Sequence, residues 1–221
     1  MDKNTIFSDN KSINCGGKLI SLDKPLIMAI LNVNNNSFFD GGKYTTEDKI
    51  IARTEQVISE GADIIDIGMV SSRPGEKISD PAEETNRLIP VLNLLVKKFP
   101  DSIFSVDTYH SETAKAAVNH GADIINDISG GTIDENMFDV VSECKVPYVL
   151  SHIKGIPENM QDKPDYENIL TEMSLFFSER INKLKQMGVN DIIIDPGFGF
   201  GKNVEHNYII LKNLSFFNSF G

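Results

Sequence analysis

Six short runs rich in β-branched residues recur along the chain, and stretches with helical spacing fill the gaps between them. The runs are "LIMAILNV" (26–33), "DIIDIG" (63–68), "IFSVD" (103–107), "DIIND" (123–127), "PYVLS" (147–151) and "DIIIDPG" (191–197). They are continuous apolar runs, as strands of a parallel sheet covered on both faces require. Between them, "TEDKIIARTEQVISEG", "PAEETNRLIPVLNLLVKKF", "SETAKAAVNHG" and "YENILTEMSLFFSERINKLKQMG" read as amphipathic helices, several ending on Gly. One signature appears twice: "GADIIDIG" (61–68) and "GADIINDIS" (121–129) both stop a helix and start a strand. Repeated βα units imply a parallel sheet.

Two architectures use such units. A doubly wound open sheet calls for a Gly-rich fingerprint after its first strand, and none is present. The expectation is therefore an α/β fold of the TIM (β/α)8 barrel class, which needs eight units in roughly 250 residues. With 221 residues the chain carries about six of the eight. Residues 1–14 read as a polar, flexible N-terminal segment, and 15–221 as a barrel domain incomplete at its C-terminus. By itself such a chain is expected to keep two open strand edges, to fold partly, and to be a poor catalyst.

Composition narrows the partners. A net charge of -11 disfavours nucleic acid and anionic membrane surfaces, while leaving room for a small anion beside local basic groups. Cys15 and Cys144 form neither a disulfide framework nor a metal spacing. The longest apolar stretch, "PLIMAILNV", is about half a membrane span. No secretory signal is visible, so the expected location is a reducing cytoplasm.

Polar residues gather where the strand runs end. They are Asn32, then Ser72 and Arg73 in "SSRPG", then Asp107, Asn126-Asp127, Ser151-His152, and Asp195 before "PGFGFGK". In a barrel those ends converge on one mouth, where active sites sit. Each residue has a structural use as well. Asp107 can cap the helix starting near Ser111, though Ser111 is the better cap. Asn126 can satisfy a neighbouring loop, Asp195 can hold a turn, His152 can be a hydrogen-bonded loop residue, and Arg73 a solvated charge. Only coincidence would put all of these on one face. Carboxylates and an amide in an apolar mouth suit a flat heterocycle with adjacent N–H donors, and Arg73 with an amide-rich loop suits a diphosphate.

In this light the sequence resembles the dihydropteroate synthase family. "MAILNVNNNSFFDGG" (28–42), "GADIIDIGMVSSRPG" (61–75), "SVDTY", "GADIINDISGG", "HIKGIPENMQ" and "DPGFGFGKNVEHN" match its blocks in order. The resemblance implies condensation of (7,8-dihydropterin-6-yl)methyl diphosphate with 4-aminobenzoate. The products would be dihydropteroate, for folate biosynthesis, and diphosphate. It implies that Asp107, Asn126 and Asp195 hold the pterin, with Asp107 offsetting positive charge as the C–O bond breaks. Asn32 is implied as a ligand of magnesium, Ser72 and Arg73 as diphosphate and aminobenzoate contacts, and Phe200 as a nearby aromatic. A homodimer is implied for complete members of the family, less so for this chain.

The chain departs from the family pattern at several positions. Asn34-Asn35-Asn36 replaces the usual Thr-Pro-Asp or Thr-Pro-Asn, Ser151 stands for a methionine, and Ala29 for a glycine. The late blocks supplying a lysine and an arginine do not occur before Gly221. Two other readings compete with the enzyme. One is a pterin-binding paralogue without activity. The other is a methyltetrahydrofolate-binding methyltransferase domain, which generally lacks the "SSRPG" and "HIKG" blocks.

Overall fold

The structure, a computed structural model, describes residues 11–33, 46–69, 78–162 and 164–220. A hairpin of β1 (Ser12–Cys15) and β2 (Lys18–Ser21) leads into β3 (Met28–Asn32) and α1 (Thr46–Ser59). Then come β4 (Ile64–Gly68), α2 (Pro81–Lys98), β5 (Ile103–Asp107), α3 (Ser111–Asn119), β6 (Ile124–Asp127) and α4 (Met137–Cys144). The order finishes with β7 (Tyr148–Ser151), α5 (Ile169–Gln186), β8 (Ile192–Asp195), α6 (Val204–Lys212) and a 3-10 turn at Leu214–Phe220. Strands β3 to β8 form one parallel sheet in sequence order. This is the connectivity of consecutive barrel units, six of them among the described residues, and the sheet does not close on itself.

Strand alternation sorts the core into two parts. Ile65, Ile67, Phe104, Val106, Ile125, Tyr148 and Leu150 point outward into a large cluster with the helices. Ile64, Ile103, Ile124 and Val149 point inward, and Ile13 and Cys15 of the hairpin pack against them. The hairpin thus plugs the end of the sheet where the strands begin. The boundary drawn after residue 14 falls inside this hairpin, so Ser12–Asn14 belong with the barrel rather than with a flexible leader. Its tie is also polar, since the Asn14 N–H donates to Asp191 at 3.0 Å. Burial pushes the Cys15 thiol up to about 12, with Asp123 and Asp191 adding to the shift, so it is an inert core residue.

The internal repeat holds at the level of single hydrogen bonds. Ala62 N–H returns to Val57 and Ala122 N–H to Ala117, each at 3.0 Å, closing the preceding helix in the same way. Asp63 then accepts from the Ile27 N–H at 2.8 Å, and Asp123 from the Phe104 N–H at 2.9 Å. Each aspartate ties the start of its strand to the neighbouring strand. At the third equivalent position stand Asp66 and Asn126, and these two are bonded to each other.

The starts of α2 and α5 follow local chemistry, and that of α3 does not. Asp80 caps α2 by accepting from the Glu83 N–H, and Asn168 caps α5 through Thr171. Ser111, expected as a cap, is instead the first residue of α3, and its N–H donates to Asp134 at 2.7 Å. A carboxylate from the loop after β6 replaces a local cap, which a one-dimensional pattern does not reveal. It also leaves Asp107 out of the capping of α3.

Asp127, beside Asn126, points the other way. It is fully buried on the helix side and accepts from the Ser129 and Gly131 N–H groups and, at 2.6 Å, from the Tyr148 hydroxyl. Burial pushes this carboxyl up, and those donors hold it down. Tyr148→Phe leaves Asp127 short of one donor in a sealed site. The expected loss of stability is about 1–3 kcal/mol, read as a lower urea midpoint with an unchanged slope.

Candidate active site

Inward residues are apolar where each strand begins and polar where it ends. Met28 and Ile30 give way to Asn32, Ile64 to Asp66, Ile103 to Ser105 and Asp107, Ile124 to Asn126, Val149 to Ser151, and Ile193 to Asp195. Register joins them, since Asn32 pairs with Gly68, Gly68 with Asp107, and Asp107 with Asn126. Ser151 pairs with Asp195. The structure therefore brings together Asn32, Asp107, Asn126 and Asp195 along the carboxyl ends of the sheet. Ser72, Arg73 and the Asn34–Asn36 loop lie outside the described residues.

Gly68 makes room for that row. A Cβ there would stand 2.9 Å from Asn32 Oδ1 and 3.5 Å from Asp107 Oδ2. Any larger residue would displace one of these side chains.

Asp66 went unnoticed in the sequence. It is 4 % exposed, and its Oδ2 accepts from Asn126 Nδ2 at 3.0 Å. Asp66 Oδ1, Asn126 Oδ1 and the Ser105 hydroxyl are buried without a hydrogen-bond partner. Asn126 thus serves a side chain of the site rather than a loop backbone. Burial pushes the Asp107 carboxyl well above the usual range, and nearby Asp66, Glu84 and Asp127 push it further. Asp66 is also raised, chiefly by burial. Carboxylates held this way gain from any ligand that brings N–H donors or positive charge. The available signal was an acidic residue at an inward position of a buried strand, spaced by two from Ile64 and Gly68.

Glu84, Tyr109 and His110 were missed as well. The Tyr109 hydroxyl accepts from the Ser79 N–H at 3.1 Å, and His110 Nε2 lies 2.9 Å from the Ser79 carbonyl. Ser79 Oγ bonds Glu84 at 2.9 Å. The residues that follow Asp107 therefore clamp the start of α2.

Asp195 makes two contacts of its own. Oδ1 accepts from the Gly197 N–H at 2.8 Å, the turn expected before Pro-Gly, and Oδ2 accepts from Ser151 at 3.2 Å. The serine at this position is a direct partner of the carboxylate. Gly197 has φ 67°, and a Cβ on it would collide with the His152 carbonyl, so only glycine fits. Phe200 is half-buried in the same loop, its N–H bonded to Gly197 at 3.1 Å.

His152 differs from the expectation of a hydrogen-bonded loop residue. It is buried, its Nδ1 has no partner, and its ring meets Phe176 edge-on at 4.8 Å. It works as a core aromatic. Burial, then the Lys202 charge, pushes its pKa down to about 3. An unfolded histidine takes up a proton below about 6.5, and the folded one does not, so stability is lost as pH falls through that window. Between pH 7 and 5 this amounts to about 2 kcal/mol. His152→Phe should lack that part of the acid sensitivity when the two proteins are unfolded in urea at both pH values.

Comparison with known proteins places this geometry. The model of the pterin binding enzyme family matches residues 28–221. The folate synthesis bifunctional protein of Arabidopsis thaliana is 42% identical over 197 residues, covering 86% of this chain and 41% of that protein. The chain therefore spans less than half the length of that relative. Dihydropteroate synthase of Streptococcus pyogenes is 40% identical over 200 residues, covering 90% of this chain and 72% of the enzyme. The solved structure of Xanthomonas albilineans dihydropteroate synthase with 4-aminobenzoic acid superposes with a TM-score of 0.83 at 38% identity, covering 92% of this chain and 72% of that one. The chain belongs to the pterin-binding enzyme family, where its relatives include dihydropteroate synthases.

Proposed function

We propose that the protein condenses (7,8-dihydropterin-6-yl)methyl diphosphate with 4-aminobenzoate to give 7,8-dihydropteroate and diphosphate. The observation that carries this reading is the row of inward acids and amides, with Asp107, Asn126 and Asp195 on the carboxyl ends of β5, β6 and β8. Such a row matches the N–H-rich edge of a pterin. The Xanthomonas enzyme, solved with 4-aminobenzoic acid, supports the second substrate.

In the reaction, the bond between the pterin methylene and the diphosphate oxygen breaks, a new bond to the arylamine nitrogen forms, and the amine proton leaves. Positive charge grows on the pterin methylene as the leaving group departs. Asp107, beside Asp66 in a low-dielectric site, is placed to stabilise it, so the chain's part is positioning and electrostatics. Arg73 and Ser72 are proposed contacts of the diphosphate and the aminobenzoate, and Phe200 an aromatic wall near the ring.

Magnesium fits this site in one way. Among the described residues no three His, Cys, Asp or Glu gather as a metal cage. Asn32 is exposed at the end of β3 and offers one hard oxygen. That suits an ion carried mainly by diphosphate and water. When bound, it neutralises the leaving diphosphate. Diphosphate affinity measured by calorimetry should fall when a chelator replaces magnesium, and Asn32→Ala should lower it only while magnesium is present. Equal affinity in both conditions removes the metal from the assignment.

The direct test is turnover. On a version carrying all eight barrel units, formation of dihydropteroate from the two substrates is expected, and its absence there under conditions where both bind argues for a binding protein. Asp195→Asn should weaken pterin binding by about 1–3 kcal/mol, because an amide offers one acceptor oxygen where the carboxylate offers two. Unchanged affinity takes Asp195 out of the site.

A further inference from the structure

Lys202 is 2 % exposed, an unusual burial for an ammonium. Its three N–H donors go to three backbone carbonyls, those of His152, Gly197 and Phe200, each at 2.9 Å. Three donors meet three acceptors, so no further contact is possible. Among the described residues no carboxylate pairs with it within 4.0 Å. Burial pushes it down to about 7, and Asp195 pulls it back up. Neutral side chains can brace a turn without burying a charge.

The carbonyls it holds have a common relation to Asp195. Gly197, gripped through its oxygen, donates its N–H to Asp195 Oδ1 at 2.8 Å. His152, gripped likewise, follows Ser151, whose hydroxyl donates to Asp195 Oδ2 at 3.2 Å. Both donors to the carboxylate are thus fixed by one ammonium that spans the loops after β7 and β8. The Tyr166 hydroxyl adds a second tie, donating to the Gly201 carbonyl at 2.8 Å.

We infer that Lys202 is a positioning residue for pterin recognition, clamping the two loops so that Asp195 stays fixed as a charged acceptor. This rests on the proposed pterin site. Lys202 touches no ligand in this arrangement and acts through Asp195.

The test is a double-mutant cycle read by calorimetry with pteroic acid on the whole protein. Lys202→Met keeps the apolar stem and removes the charge. It should weaken binding about tenfold, the scale of one charge-assisted contact. In the Asp195→Asn background the same change should cost little more, because the carboxylate it serves is gone. Losses that simply multiply mean a general structural role and overturn the inference, as does wild-type affinity in Lys202→Met. Should Lys202→Met not fold, lysine 15Nζ spectra of the wild-type protein replace it. A slowly exchanging ammonium signal that moves on adding pteroic acid is expected, and one indifferent to it overturns the inference. Failure of the wild-type protein to bind pteroic acid overturns the site itself, and the role of Lys202 with it.

Discussion

The ladder from β3 to β8 runs in one direction without a break, so each strand delivers its last inward side chain to the same side of the sheet. Everything described at the site depends on that pairing. Asn32, Gly68, Asp107 and Asn126 are neighbours because four backbones are in register, not because they are close in sequence. A slip of one residue in any strand would turn its polar end outward among the helices and bring an apolar residue to the mouth. The inward isoleucines at the strand starts, held under the β1–β2 hairpin, make such a slip costly.

Acid is concentrated around this row. Asp66, Asp107, Glu84 and Asp127 all lie in buried or half-buried positions and are raised mainly by loss of water. Their partners differ. Asp127 is saturated by hydroxyl and backbone donors and belongs to the packing of the β6 loop. Asp66 retains an oxygen without a partner, and Asn126 does too. Asp127 thus holds the fold, while Asp66 and Asn126 keep acceptor oxygens free beside the site.

The six strands and their polar ends were legible because β-branched runs between amphipathic stretches allow few alternatives. The repeat was legible for the same reason, and the structure adds equivalent bonds at Asp63 and Asp123 that the repeat alone does not reveal. Asp66 was not, because one acid within "DIIDIG" looks like a break in a run until the strand's inward face is known. The four-residue strands β1 and β2 are too short to leave a period. Ser111 misled because its capping partner, Asp134, comes from a distant loop. Lys202 hid among turn residues, since one of its acceptors, His152, is fifty positions away. Long-range polar contacts leave no local trace in sequence, and these account for most of what was missed.

The hairpin beneath the strand starts has a consequence for the acidic row. Ile13 and Cys15 fill the space among Ile64, Ile103, Ile124 and Val149, so among the described residues that end is packed with apolar side chains. The acidic row is thereby covered from the side of the strand starts. A hairpin at the opposite end of the strands thereby keeps a floor under the acidic row.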